Sequence, residues 1–333
     1  MRDRALLAVL LALLLAHETL AQDPQLSQFY AAPMYLNPAL TGSTYQDRIG
    51  LNYRIQWPGI APGFETYALG YDHNNAKAHS GYGLMVMHDR AGSNNLSFTH
   101  VGGSYSYEAR INHAHAVRFG MRLGYTVRQT DLGGYVFADQ VIRDNAATTI
   151  ESTMLQRTSY FDASVGGMYY SEHVWLGASF SHINRPQQTL MVGGDTRLPV
   201  RTSIHTGYRL ALDERAMSHT RSTFNIAAHY KAQQDWDQLD IGAYVDHQPL
   251  MAGLWYRGLP GLKAYRPGYP NNDAIVLMAG VQTQKQLRII YSYDITISWQ
   301  GMKTGGAHEV SLTYEWPARQ KSRKFHMVPC PKF

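Results

Sequence analysis

The sequence contains almost no cysteine: Cys330 stands alone among 333 residues. A single cysteine excludes an intramolecular disulfide framework and a cysteine-based zinc site. Beyond residue 21 no apolar run reaches about 18 residues, so no later transmembrane helix is predicted. A nucleophile elbow, a P-loop and a dinucleotide-binding fingerprint are also missing from the sequence.

Tyrosine and glycine stand out among the residues that are present. The chain has 23 Tyr against 10 Phe and 6 Trp, and 29 Gly against 14 Pro. Apolar residues make up 44%, which excludes a disordered chain. The net charge of +5 comes from Lys and Arg spread over the whole length, so outside the C-terminal tail no basic patch indicates a nucleic-acid partner. The composition favours β-strands that face two different media.

The first 21 residues have the form of a secretory signal peptide. Arg2 and Arg4 precede an unbroken apolar run from Ala5 to Ala16, and Thr19-Leu20-Ala21 places small residues at a cleavage site before Gln22. The run is too short for a membrane anchor, because its twelve residues span about 18 Å of helix against a hydrocarbon core of about 30 Å. We therefore predict residues 1–21 as a signal peptide.

The rest of the chain alternates between apolar and polar side chains. Ile289 to Trp299 and Ile49 to Trp57 show the pattern, which places apolar residues on one face of a strand and polar residues on the other. About fourteen such segments of roughly 9–15 residues occur, and a tilted strand needs roughly 9–11 residues to cross a bilayer. The approximate spans are 46–57, 64–73, 80–89, 95–108, 115–129, 158–171, 173–183, 200–212, 221–232, 237–247, 250–258, 273–283, 286–299 and 307–317.

Aromatic residues often end the apolar faces, as Trp57 and Trp316 do, which is typical of the aromatic girdles of membrane barrels. We predict an all-β fold: a transmembrane outer-membrane β-barrel of about 14 antiparallel strands over residues 45–317, in contact with outer-membrane lipid. A secreted β-sandwich array is the alternative, since its strands alternate too. The three longest connections, 130–157, 184–199 and 259–272, are assigned to the external side, and the short turns to the periplasmic side.

Two segments lie outside this pattern. Residues 22–44 lack alternation, and residues 318–333 form a basic tail. We place both on the periplasmic side, with residues 22–44 as a plug or a periplasmic docking segment. A plug that fills the lumen is the favoured interpretation.

Short motifs along the mature chain resemble the PorP/SprF family, outer-membrane components of the type IX secretion system of Bacteroidetes. The resemblance begins at Gln22–Tyr30 and Tyr35–Ala39, continues through Asn52-Tyr53-Arg54, Gly253–Arg257, Tyr291–Asp294 and His308–Leu312, and ends at Cys330–Phe333. Each motif alone is weak evidence, but the whole set in this order is specific to the family. The resemblance implies a non-enzymatic barrel that assists the export or surface display of partner proteins, gliding-motility adhesins among them, and that contacts the periplasmic ring of the secretion apparatus.

Candidate site residues follow from these patterns. The candidate plug or docking residues are Asp23, Pro24, Ser27, Gln28, Phe29, Tyr30, Asn37, Pro38 and Gly42. The candidate tail-docking residues are Cys330, Pro331 and Phe333, although Cys330 could equally be an inert thiol. The candidate lumenal charges are Arg48, Arg54, Asp72, Arg118, Arg122, Asp162, Asp240 and Asp294. Because both signs occur, a paired network that stiffens the wall is favoured over a selectivity filter.

No cofactor or metal is predicted. His113 and His115 flank a predicted turn without a third ligand, and His308-Glu309 lacks the second histidine of a zinc-protease motif. The leading hypothesis is a secretion accessory acting as a scaffold. The alternatives are a small-solute porin or uptake channel, and a lipid-modifying barrel enzyme, which periodicity neither supports nor excludes.

Overall fold

The computed structural model describes residues 23–60, 63–92, 96–131, 138–144, 155–212, 222–259, 264–266, 269–283, 286–298 and 301–317. Within these residues no helix is long and apolar enough to cross a membrane.

Fourteen strands form one closed antiparallel barrel. Each strand pairs with its neighbours in the chain, and β1 pairs with β16 to close the wall, so that Leu51 faces Leu69 on one side and Leu312 on the other. The barrel strands are β1 (Asp47–Gln56), β2 (Phe64–Asn75), β3 (Ser80–Ala91), β4 (Leu96–Arg110), β5 (His115–Gln129), β6 (Arg157–Ser171), β7 (Val174–Ser181), β8 (Arg201–Ala211), β9 (Ser222–Gln233), β10 (Trp236–His247), β11 (Leu250–Gly258), β14 (Asn272–Gln282), β15 (Leu287–Thr296) and β16 (Ala307–Glu315).

Shorter elements occupy the connections and the N-terminal segment. A small hairpin, β12 (Ala264–Arg266) with β13 (Tyr269–Pro270), lies in the β11–β14 connection, where the sequence predicts turns only. The helices are α1 (Pro33–Leu36) and α2 (Ala138–Ile142), with 3₁₀ turns at Phe29–Ala31, Pro38–Leu40 and Met302–Thr304.

The wall is apolar outside and polar inside. Phe119 and Leu123 point outward from β5 and are 60% and 59% exposed, whereas Arg118 and Arg122 on the same strand are 2% and 3% exposed. A β-sandwich would bury the apolar face, so this distribution excludes the alternative fold. An apolar outer surface around a closed wall is stable in lipid, because closure leaves no unpaired strand edge. The predicted fold of about fourteen antiparallel strands is confirmed.

The two ends of the barrel differ in their connections. The end that carries the long β5–β6, β7–β8 and β11–β14 connections is called the loop end here. The opposite end, where β1 begins and β16 finishes, is called the turn end, and its connections include the short turns 76–79, 111–114 and 172–173. The three longest connections therefore share one end of the barrel, as the sequence predicts.

Candidate functional site

Residues 23–44, called the lumenal segment here, lie inside the barrel. Gln28, Asn37, Ala39 and Leu40 are fully buried although most of the segment has no regular structure. The described residues run through the lumen from the loop end, where Asp23 contacts His182, to the turn end, where Gly42 contacts Asp72.

At the loop end the lumenal segment is held by ionic contacts to Asp23. The Asp23 carboxylate lies 2.7 Å from His182 Nε2 and 2.8 Å from Arg201 Nη1. His182 follows β7, and its Nδ1 lies 2.7 Å from Asp162 Oδ1 on β6. One imidazole thus bridges two carboxylates, one on the wall and one on the segment.

The charges of this contact favour the ionised forms of both partners. Burial acts to raise the pKa of the Asp23 carboxyl, but His182 and Arg201 outweigh it and hold that pKa well below its usual range. Burial acts to lower the pKa of the His182 imidazole, but Asp23 and Asp162 outweigh it and raise that pKa to about 9. His182 is therefore a cation at neutral pH.

Further along, Ser27 and Gln28 bind the strands that close the barrel. The backbone N–H of Ser27 donates to Glu309 Oε2 at 2.6 Å. The Gln28 side-chain amide donates to Ser292 Oγ at 3.1 Å and to the Glu309 carbonyl at 3.0 Å, and its oxygen accepts from Ser311 Oγ at 2.5 Å. The Gln28 side chain thus both donates hydrogen bonds to the barrel wall and accepts one from it.

Around Ser27 the lumenal charges form a connected network. Arg54 Nη2 lies 3.1 Å from Asp294 Oδ2, and Arg257 bridges Asp240 at 2.7 Å and Asp294 at 2.8 Å. Ser27 Oγ donates to Asp294 at 2.5 Å and accepts from both guanidinium groups at 3.2–3.3 Å. The hydroxyl lies at the centre of charges that come from four strands.

Aromatic rings anchor the next part of the segment. Phe29 packs edge-on against Trp255 at 5.1 Å between ring centroids and lies 4.6 Å from the His229 ring. Tyr30 stacks with Trp255 at 5.9 Å and with Tyr244 at 6.3 Å. These contacts form the main apolar cluster inside the barrel, which contains segment and wall residues together.

Asn37 fixes the segment at the middle of the lumen. Its Nδ2 donates to the Gly167 carbonyl at 3.1 Å and to the Ala178 carbonyl at 3.2 Å, and lies 3.1 Å from His205 Nε2. The Asn37 side chain occupies the space above Gly166, where any Cβ would collide with its Oδ1. Gly120 leaves similar space for the backbone at Pro38 and Ala39.

Towards the turn end Arg118 binds three backbone carbonyls of the lumenal segment. Its Nε donates to Ala39 O at 3.1 Å, and its Nη2 donates to Thr41 O at 2.7 Å and Gly42 O at 3.1 Å. Nη1 pairs with Glu108 at 3.1 Å. A guanidinium is suited to this task because its five N–H donors lie in one rigid plane.

Arg48 and Asp72 complete this end of the segment. Arg48 binds Asp72 through two bonds of 2.9 and 2.8 Å and also donates to Leu40 O at 3.2 Å. The Gly42 N–H donates to Asp72 Oδ2 at 2.6 Å. Gly42 has a φ of +63° and its Cβ position lies within 2.6 Å of the Gly81 Cα, so the close approach of two chains also requires glycine there.

The structure brings most of the sequence-predicted site residues into contact. All eight candidate lumenal charges point inward and make an ion pair or a hydrogen bond, and the candidate plug residues lie along the lumen, Pro24 through its carbonyl, which accepts from Tyr35 at 2.6 Å. Cys330, Pro331 and Phe333 lie outside the described residues.

Sequence reasoning missed several partners of these residues. The main ones are Glu108, His182, Arg201, Arg257 and Glu309. Four of these lie on strands at positions that share the polar face, so the same period-two count could have found them. His182 follows its strand and carried no such signal.

A cavity of about 410 Å³ remains at the loop end, between β1–β6 and the lumenal segment. Among the described residues, no group of three or more His, Cys, Asp or Glu side chains could hold a metal ion. Apart from this cavity, the described part of the N-terminal segment fills the lumen of its own barrel.

Two of three comparisons with known proteins find similar proteins. No curated protein matches the chain significantly. Solved structures with a similar trace include the Pseudomonas putida toluene transporter TodX (TM-score 0.44, 9% identity, 84% of this chain and 92% of the other) and Acinetobacter baumannii Omp33 (TM-score 0.44, 7% identity, 82% and 98%). Acinetobacter baumannii CdiB also matches (TM-score 0.43, 9% identity, 81% and 60%). These TM-scores and sequence identities are too low to bear on the function of this chain.

The family comparison is much stronger. The model of the family described as type IX secretion system membrane protein PorP/SprF matches residues 18–314, which is most of the chain. With the closed, apolar-coated barrel, this match identifies an outer-membrane protein. The chain belongs to the PorP/SprF family of type IX secretion system membrane proteins.

Proposed function

We propose that the chain is a plugged, non-enzymatic scaffold that assists the secretion or surface display of partner proteins, gliding-motility adhesins among them. The observation that carries the proposal is the lumenal segment, which occupies the lumen with buried polar contacts at both ends and in the middle. A porin needs a continuous aqueous path, so the buried contacts between the lumenal segment and the wall support the scaffold over the porin.

In this proposal the rigid wall holds the protein in outer-membrane lipid while its two ends bind different partners. The loop end faces outward and receives the exported protein. The turn end faces the periplasm, and the basic tail 318–333, with Cys330, Pro331 and Phe333, docks to the periplasmic ring of the apparatus. Residues 1–21 act as the signal peptide that sends the chain across the inner membrane.

Conductance in planar lipid bilayers tests the scaffold against the small-solute porin. The intact protein should insert without producing conductance steps, and a variant that lacks residues 23–42 should produce them if its barrel remains heat-modifiable. Steps of porin size from the intact protein would overturn the proposal.

Affinity purification from native membranes tests the partners. The full chain should recover secretion components and an exported protein, and a chain ending at residue 317 should remain a folded barrel but lose the periplasmic components. Recovery of no secretion component by the full chain would contradict the scaffold role.

A further inference from the structure

The cavity at the loop end has the size of a ligand site and reaches the rim of the wall. Its volume of about 410 Å³ lies within the range of roughly 300–1,000 Å³ typical of small-molecule pockets. Its lining includes the loop-end residues of four adjacent strands, which are Gln56, Phe64, Ala91 and Leu96. None of these four residues is buried, so the described part of the chain leaves the cavity open towards the loop end.

Most charged side chains of the lining already have a partner of opposite charge. Asp23 pairs with Arg201 at 2.8 Å. Asp162 lies 2.7 Å from His182. Arg54 pairs with an aspartate of β15 at 3.1 Å. These charges are compensated within the protein before any ligand arrives.

Asp89, on β3, is an exception. Its side chain is half-buried in the cavity wall, and its Oδ1 accepts from Thr66 Oγ1 at 2.6 Å. No cation among the described residues pairs with it. Its Oδ2 binds no described residue and is not itself buried, so this oxygen is open to the cavity.

Arg128, on β5, is a second exception with the opposite charge. It is also half-buried in the cavity wall, and its Nη1 donates to Gln188 Oε1 at 2.6 Å. Among the described residues no carboxylate pairs with it. Its Nε and Nη2 bind no described residue and are not buried. These two groups lie on one edge of the guanidinium, which suits a carboxylate that binds through both oxygens.

The two open charges lie at the ends of one row across the wall. Asp89 pairs in register with Phe98 on β4, and Phe98 pairs in register with Arg128. Two strand spacings, about 9.5 Å, therefore separate the backbone positions of the two charged residues. The Phe98 side chain lines the cavity between them. The row thus presents a carboxylate, an apolar ring and a guanidinium in that order.

The rim adds further apolar surface beside this row. Trp57 and Phe64 line the cavity, and their rings pack edge-on at 5.5 Å between centroids. A desolvated charge without a partner is unfavourable, so each open group favours a ligand of the opposite charge. A ligand that satisfies both groups carries a cation at one end, an anion at the other and an apolar part between or beside them.

We propose that this cavity binds a free zwitterionic dipeptide with an apolar side chain. The ammonium of the dipeptide donates to Asp89 Oδ2, its carboxylate accepts from Arg128 Nε and Nη2, and its side chain packs on Phe98 and the rings at the rim. Two extended residues span about 7 Å, which suits charges held on positions about 9.5 Å apart. A single amino acid carries both charges on one Cα and is too short to reach both groups.

Isothermal titration of the full protein in lipid nanodiscs tests the proposal. The probe is L-alanyl-L-phenylalanine, which should bind one site saturably. N-acetyl-Ala-Phe lacks the ammonium, Ala-Phe amide lacks the carboxylate, and free phenylalanine has both charges at the shorter spacing. Each of these three controls should bind about tenfold more weakly or worse, because each loses a charge-assisted contact.

Two charge-removing variants assign the ends of the ligand. Asp89→Asn should weaken binding of Ala-Phe about tenfold and leave the affinity for N-acetyl-Ala-Phe unchanged. Arg128→Gln should weaken binding of Ala-Phe to the same extent and leave the affinity for Ala-Phe amide unchanged. Arg90→Gln is the matched control, since Arg90 is an exposed charge on β3 that pairs with Glu65 at 3.2 Å.

All three variants should remain heat-modifiable barrels, and Arg90→Gln should bind every probe as the wild type does. Absence of saturable binding of Ala-Phe would overturn the proposal. Equal affinity for Ala-Phe and its two blocked forms, or for Ala-Phe and free phenylalanine, would contradict recognition of two separated charges. An affinity for Ala-Phe that Asp89→Asn and Arg128→Gln leave unchanged would place its binding outside this cavity.

Discussion

The ionic contact at Asp23 makes the attachment of the lumenal segment depend on pH. His182 has its pKa raised from 6.5 to about 9 by the two flanking carboxylates. A group with a raised pKa contributes its stabilisation fully below pH 6.5 and loses it as pH rises towards 9. One pKa unit corresponds to about 1.36 kcal/mol, so the whole shift corresponds to about 3 kcal/mol. Asp162 lies on the wall and keeps its share when the segment leaves, so the bond between protonated His182 and Asp23 holds the segment by about 1.5 kcal/mol, as a charge-assisted hydrogen bond does. Asp23 stays ionised over this range because its own pKa is depressed.

Hydrogen exchange read by mass spectrometry measures this contribution. The comparison is between the wild-type protein and His182→Gln in nanodiscs at the same pH, so that intrinsic exchange rates cancel. At pH 6 the amides of residues 25–36 should be protected about tenfold better in the wild type, since each 1.4 kcal/mol corresponds to a factor of ten. At pH 10 the two proteins should converge, with Arg201 still bound to Asp23.

Two results would refute this reasoning. Equal protection of both proteins at pH 6 would mean that His182 does not hold the segment. A difference that persists unchanged at pH 10 would mean that the role of His182 is steric and independent of its charge.

Three further predictions concern the seating and orientation of the lumenal segment. Arg118→Met should destabilise the seated segment by about 3–5 kcal/mol, because it removes charged hydrogen bonds to three carbonyls, each worth about 1.5–3 kcal/mol, while Glu108 keeps Arg110 and Tyr170 as partners. Faster exchange of residues 38–44 would show this, and unchanged exchange would contradict it. Gly120→Val should displace the segment and make it sensitive to protease, whereas Gly103→Val, which meets no atoms, should not; equal sensitivity of the two would count against close packing at Gly120. In a Cys330→Ser background, Gln25→Cys should react with a membrane-impermeant maleimide on intact cells, and Ser43→Cys only after the outer membrane is permeabilised; the reverse pattern would invert the orientation.

The sequence predicts the wall well because the cause of the pattern is local. Each strand must place apolar groups in lipid and polar groups inside, so the period-two alternation along β5 or β15 can be read without any knowledge of its neighbours. The observed bounds of β5, His115–Gln129, coincide with the predicted span. Trp299, at the end of another predicted span, lies outside the described residues.

The interior is harder to predict because its contacts are distant in the chain. Ser27 meets Glu309 across 282 positions, and Asp23 meets His182 across 159. The alternation of apolar and polar residues assigns Glu309 to the inner face of the wall, but it does not identify the residue that Glu309 binds there. The lumenal segment has no period at all, since it is shaped by the side chains around it, so its path could not be read from residues 22–44 alone.

The pairing of β1 with β16 links closure of the wall to the filling of its lumen. The lumenal segment is joined directly to β1, and its Ser27 and Gln28 bind side chains of β16. The strand that completes the cylinder therefore also carries partners of the segment that fills it. A chain in which the segment already lies against β16 when β1 arrives shuts the wall and fills it in one event, with no need to thread the segment through an open end.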